Sequence, residues 1–204
     1  MKRLDPAARR AAMAWLVLFV LLFLVAAWFA RHEDFSDLDR GARMLVRQGR
    51  AVALERVMRA ISVLALGYVL LPVTLVCSVV LWRRRHHEVA LALPLIGVTA
   101  SGVLALTKWI VSKPRPTLRG YGFPSGHVFG VTVFVVVAVY LLWLYEMPRR
   151  TQRLARAVGA AFIVAVGYSR LYVNAHWLSD VVGGLLAGLA FAVVAVLVLD
   201  GRLR

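Results

Sequence analysis

Five uncharged and largely apolar runs punctuate the chain, at residues 11–30, 60–82, 89–107, 128–145 and 181–199. Each is close to the ~20 residues that a helix needs to cross the hydrocarbon core of a bilayer. A sixth run, 157–169, is too short alone and reaches spanning length only by including Arg170 and continuing to Ala175. A charge at that depth has to face protein or water, which makes Arg170 a functional candidate. The pattern predicts an all-α protein, a bundle of six transmembrane helices forming one membrane-embedded domain over residues 1–204. Between the first two helices, residues 36–59 read as a helix that does not span. Ser36 is placed to cap it, Asp39 stands three residues later, and Leu38, Ala42, Leu45 and Val46 recur at helical spacing. An interfacial amphipathic helix is expected there, either a lid or lipid guide above a site or a plain connector.

Composition supports the membrane reading: 61% of the 204 residues are hydrophobic. The formal net charge of +15 would suggest nucleic acid in a soluble protein. Here the cations sit in the connections between apolar runs, where they meet lipid headgroups, so membrane lipids and no nucleic acid are the expected partners. An even number of crossings puts both termini on one side with 83–88 and 146–156, and 31–59, 108–127 and 170–180 on the other. Lys and Arg number 13 on the first side and 12 on the second, so the count decides nothing. The short connections "RRRHHE" and "EMPRRTQRLAR" are densely basic, however, and short loops carry the orientation rule. The termini are therefore expected in the cytoplasm. The apolar run after "MKRLDPAARR" is longer than a signal-peptide core and is expected to be a retained helix. Cys77 is the one cysteine, so no intrachain disulfide forms. Small residues in "GGLLAGLAFA" could pack helices within one chain as readily as between two, and the oligomeric state stays open.

Three polar clusters interrupt the apolar text, and six crossings bring all three to one side. They are "KWIVSKPRP" from Lys108, "PSGH" from Pro124, and "SRLYVNAHWLSD" from Ser169. Lys108, Arg115 and Arg170 come from three segments and would together bind a multiply charged anion, with phosphate the obvious ligand. Pro124 stops any preceding helix, Ser125 can cap the next, and Gly126 lets backbone approach a ligand, so the fourth helix aims free N–H groups at the same anion. His176 and Asp180, four apart, share a face on a continuous helix. A carboxylate on one ring nitrogen leaves the other as nucleophile or base, and His127 supplies an acid. Metal chemistry is disfavoured: from Lys108 to Asp180 the only carboxylates are Glu146 and Asp180, too few oxygens for a two-metal site. A single zinc on His127, His176 and Asp180 would sit among three cations. No metal or other cofactor is expected. His32, His86, His87, Lys113 and Arg119 read as interfacial or snorkelling side chains, and Ser169 as a serine bonding within its helix unless Arg170 draws it to a ligand.

At these residues the chain resembles the type 2 phosphatidic acid phosphatase (PAP2) superfamily, whose pattern is matched at Lys108, Arg115 and Pro116, at Pro124 to His127, and at Ser169, Arg170, His176 and Asp180. The resemblance implies a metal-independent integral membrane phosphatase acting through a phosphohistidine, similar to bacterial members that take phosphatidate, phosphatidylglycerophosphate or undecaprenyl pyrophosphate at the periplasmic or outer face. It makes His176 the nucleophile, Asp180 its orienting partner and His127 the acid, with Lys108, Arg115, Ser125, Gly126 and Arg170 on the phosphate. Asn174 departs from the glycine that relatives often carry two residues before the histidine. A lipid phosphotransferase acting on a lipid A type acceptor would use the same residues. A lipid or anion transporter is a weaker alternative, since it gives no use to the His176 and Asp180 pairing.

Overall fold

The first helix, α1 (Pro6–Arg31), starts where the Asp5 carboxylate accepts the Ala8 N–H at 2.7 Å and Pro6 presets the first helical φ. It is followed by α2 (Ser36–Gln48), α3 (Val52–Leu64), α4 (Gly67–Arg83), α5 (His87–Val111), α6 (Gly126–Leu144), α7 (Arg149–Tyr172) and α8 (Leu178–Arg202). The structure is a computed structural model that describes residues 2–32, 36–49, 51–117 and 120–202. Among the described residues there is no strand, only an isolated bridge between Pro114 and Tyr121.

Helices α1, α5, α6, α7 and α8 are each long and apolar enough to cross a membrane, and α3 with α4 qualifies only as a pair bent by 43°. The large apolar side chains that a water-soluble bundle would bury lie outside instead, Trp15, Leu21 and Trp28 on α1 and Val98 and Leu106 on α5 among them. Such a surface belongs in lipid. The protein is a multi-pass membrane protein.

Several boundaries differ from the sequence expectation. The run 60–82 is not one straight helix: Leu66 is extended ahead of Gly67, and the chain turns there from α3 into α4. Residues 36–59 are not one helix either, since α2 stops at Gln48, before Gly49, and α3 begins at Val52. The third apolar helix passes Lys108 and ends at Val111. Helix α7 gains its length at the other end, starting at Arg149, and stops at Tyr172 rather than at Ala175. Asn174, just past that stop, has φ 57°. Glycine takes that left-handed conformation freely and asparagine tolerates it best among side-chain-bearing residues, so the departure at Asn174 keeps the turn.

At the centre, α6 and α8 pack closely. A Cβ on Gly184 would lie 2.7 Å from the Ser125 carbonyl oxygen, and one on Gly188 would lie 2.8 Å from Thr132 Cβ. The small-residue face of "GGLLAG" is therefore used within the chain. Phe123, fully buried, stacks on Phe23 of α1 at 5.8 Å and packs with Ala26, Ala30 and Val111. This contact seats the loop before α6 against α1, α5 and α8, and it sets the level at which the polar clusters meet.

Candidate active site

The end of α7 and the start of α8 are joined by a five-residue turn that carries His176. His176 Nδ1 lies 3.0 Å from Asp180 Oδ2, and both side chains are almost fully buried. The pair is not on a continuous helix as the spacing suggests: His176 precedes α8, and Asp180 is the helix's third residue. Asp180 Oδ2 also accepts the Trp177 N–H at 3.1 Å, the arm of a capping box in which a first-turn acid reaches back to the N-cap. One carboxylate thus starts the helix and holds the imidazole. An ionised carboxylate only accepts, so Nδ1 carries the proton and Nε2 keeps its lone pair. Burial pushes the His176 pKa down, and the Asp180 hydrogen bond partly opposes that shift. The ring is therefore neutral at pH 7.

The "PSGH" segment meets this pair through the main chain. The Ser125 N–H donates to the Asp180 carbonyl at 2.8 Å. Ser125 stands at the N-cap of α6, yet its hydroxyl makes no capping bond, contrary to the sequence expectation; Oγ is fully buried without a protein partner. Arg170 Nε is in the same condition. A buried donor left unsatisfied costs about 1–3 kcal/mol. Two such atoms belong to residues expected on phosphate, beside a helix start with free N–H groups.

Lys108 and Arg115 brace the loop. Lys108 Nζ donates to the carbonyls of Pro124 at 2.7 Å, Gly122 at 3.0 Å and Tyr121 at 3.3 Å, which occupies all three ammonium donors. Arg115 Nε donates to Tyr121 O at 3.1 Å. Arg170, His176, Arg115 and Lys108 all act electrostatically on His127, so the three clusters share one field. Gly122 has a steric reason: a Cβ there would stand 2.5 Å from Asp180 Oδ2. Ser169 bonds within its own helix, donating to Val166 O at 2.7 Å, and faces Ser62 Oγ at 2.9 Å. Among the described residues no three His, Cys, Asp or Glu side chains form a group able to hold a metal ion.

Lys113 is not a snorkelling residue. Its ammonium is buried, 2.6 Å from Asp39 Oδ2 and 2.7 Å from Ser179 Oγ. Asp39 Oδ1 in turn accepts the Ser179 N–H at 2.9 Å, capping α8 from a different helix. Asp39 therefore does not serve the start of α2, where the side chain of Ser36 lies outside the described residues. Arg119 lies outside them as well. Sequence reading misses this pair because 74 residues separate the partners. Removing one partner of such a buried pair costs about 3–5 kcal/mol. Arg43 over the Trp177 ring at 5.4 Å, and Tyr172 OH with the Ala51 N–H at 2.8 Å, tie α2 and its junction to the same region.

From His127 an apolar groove of about 580 Å³ runs between α4, α5 and α6. Ala65 to Gly67 at the α3–α4 bend line it near His127, and Leu141 lines it near the far end of α6. At 1.5 Å per residue, the stretch from His127 to Leu141 covers about 21 Å.

A membrane-embedded helical bundle with a buried histidine–carboxylate pair among converging cations at one end is the class these features define. A model of the PAP2 superfamily matches residues 117–204. The chain is 26% identical over 182 residues to phosphatidylglycerophosphatase B of Bacillus subtilis, covering 85% of this chain and 88% of that protein. It is 24% identical over 195 residues to undecaprenyl-diphosphatase of Sulfolobus acidocaldarius, covering 85% of each. In fold it is similar to the transmembrane PAP2 type phosphatidylglycerolphosphate phosphatase from Bacillus subtilis, with a TM-score of 0.83 at 24% identity over 93% of this chain and 97% of that one. It is also similar to LpxE of Aquifex aeolicus, with a TM-score of 0.54 at 22% identity, covering 78% of this chain and 94% of that one.

Proposed function

We propose that the protein is a six-span lipid phosphatase of the cell membrane, one domain over its length, removing the terminal phosphate of a lipid phosphate or pyrophosphate at the outer face. The bent α3–α4 pair counts as one span, the termini are cytoplasmic, and α2 lies at the interface above the site. The observation that carries the reading is the buried bond between His176 Nδ1 and Asp180 Oδ2, which leaves Nε2 free to attack phosphorus. The groove of about 580 Å³ supports a lipid substrate, because it offers an apolar seat for a chain whose phosphate lies beside His127.

In the first step His176 Nε2 attacks in line, the bond from phosphorus to the leaving oxygen breaks, and His127 gives that oxygen a proton. In the second, His127 takes a proton from water, which attacks the phosphohistidine and frees His176. Arg170, Arg115, the Ser125 hydroxyl and the N–H groups at Gly126 hold the phosphoryl oxygens, and these contacts strengthen as charge develops. Lys108 adds its charge while it braces residues 121–124. No metal takes part.

The full chain in detergent should release phosphate from phosphatidate, phosphatidylglycerophosphate or undecaprenyl pyrophosphate in excess EDTA, and His176→Ala should abolish the release. Activity that needs an added metal, or an active alanine variant, contradicts the mechanism.

A further inference from the structure

We infer that Asp39 and Lys113, neither of which belongs to the recognised pattern, are positioning residues that fix the Asp180 carboxylate against His176. The inference rests on the phosphatase reading for its kinetic consequences and on geometry for the clamp itself.

Three elements converge on Asp180. Its predecessor Ser179 is held twice by Asp39, through the N–H at 2.9 Å and the hydroxyl at 2.8 Å. Lys113 secures that carboxylate and the Ser179 hydroxyl with two of its three donors, at 2.6 and 2.7 Å. The main chain of Lys113 contributes as well, since its carbonyl accepts the Gly122 N–H at 2.7 Å. Gly122 is the residue whose Cα stands so close to Asp180 Oδ2 that no Cβ fits. Lys113 therefore sets the helix start on one side of Asp180 and the loop wall on the other. Asp39 and Lys113 are both more than nine-tenths buried, so water competes little for the bonds. The first turn of α8 has orphan N–H groups, and the one on Ser179 finds its acceptor on another helix, which couples the seat of α2 to the angle at which Asp180 reaches His176. A one-ångström change in that reach would misalign the imidazole for in-line attack.

Two readouts test the clamp on the purified full chain, with the wild type and His176→Ala as references. The first is steady-state turnover of the lipid phosphate. Asp39→Asn keeps the volume and one acceptor but removes the charge, and Lys113→Met removes the ammonium; each should lower kcat tenfold or more with KM within twofold. The second needs no activity: modification of His176 by diethyl pyrocarbonate, followed by peptide mass spectrometry. The reaction should be slow in the wild type and at least several-fold faster in either variant. Arg59→Gln, which breaks an exposed pair with Glu55, should change neither readout. Wild-type kcat and wild-type modification rates in both variants overturn the clamp. If the single variants do not fold, the double Asp39→Asn/Lys113→Met, with both buried charges gone, takes their place: lowered kcat and faster modification support the clamp, and wild-type values overturn it. An inactive wild type whose His176 is nonetheless exposed by Asp39→Asn sinks the phosphatase reading and leaves the clamp standing.

Discussion

Each end of the bundle buries an aspartate near the end of α8, and the two are treated in opposite ways. At the end where the chain termini lie, Asp200 accepts the Leu4 N–H at 2.9 Å and faces the Tyr140 hydroxyl at 3.5 Å and Arg9 Nε at 3.7 Å. Its partners come from α1, α6 and the N-terminal segment, and both carboxylate oxygens are used. At the other end, Asp180 spends Oδ2 on His176 and Trp177 while Oδ1 is buried without a protein partner, as are Ser125 Oγ and Arg170 Nε. Around Asp180 the unsatisfied atoms gather within one buried, cationic cluster, and that is where the proposed binding and chemistry are placed.

That contrast is broken most directly by neutralising each aspartate in turn. Asp180→Asn should lower kcat on the order of 10³-fold or more, since an amide no longer holds Nδ1 as donor and the wrong tautomer presents a proton at Nε2. A loss under tenfold would remove Asp180 from the mechanism. The pH profile sharpens the same point. Burial lowers the His176 pKa and Asp180 opposes that effect, so neutral, nucleophilic imidazole persists below the ordinary histidine value of about 6.5. The acidic limb assigned to His176 should lie below that value, and in Asp180→Asn it should move lower still because the opposing contribution is gone. A limb at or above 6.5 would mean that the ring is not buried during turnover.

A smaller effect is expected in the groove. Cys77 lines it and is the chain's one cysteine. A bulky maleimide on Cys77 should raise KM severalfold for a long-chain lipid phosphate and leave a short-chain, water-soluble phosphate ester unaffected, as a paired assay would show. Equal effects on both would place the lipid chain elsewhere. Asp200→Asn should change kcat least, within twofold, while lowering the thermal midpoint, because it weakens a closed network at a cost of about 1–3 kcal/mol. A large fall in kcat with an unchanged midpoint would erase the distinction between the two ends.

Much of the site can be read from sequence because polar residues stand out in apolar text. The pattern of spans predicts His127, His176, Asp180, Arg170, Lys108 and Arg115 at one end of the bundle, and the structure brings them there. What escapes depends on backbone geometry or on distance along the chain. The spacing of His176 and Asp180 suits a helix face equally well as the turn and capping arm observed. Ser125 occupies a capping position without making the capping bond, which only atomic positions reveal. The bend at Ala65–Leu66 lies inside an unbroken apolar run, where hydropathy carries no signal beyond Gly67. Lys113 reads like one more interfacial cation because its partner Asp39 lies on α2, and no local pattern links the two.

The central claim is that His176 becomes the phosphorylated nucleophile. A lipid phosphate radiolabelled at its terminal phosphorus, mixed with excess enzyme and quenched in alkali, where phosphohistidine survives, tests it in one measurement. Label should appear on the peptide that contains His176 and be missing from His176→Ala. Rapid phosphate release with no label on that peptide at any quench time would contradict the account.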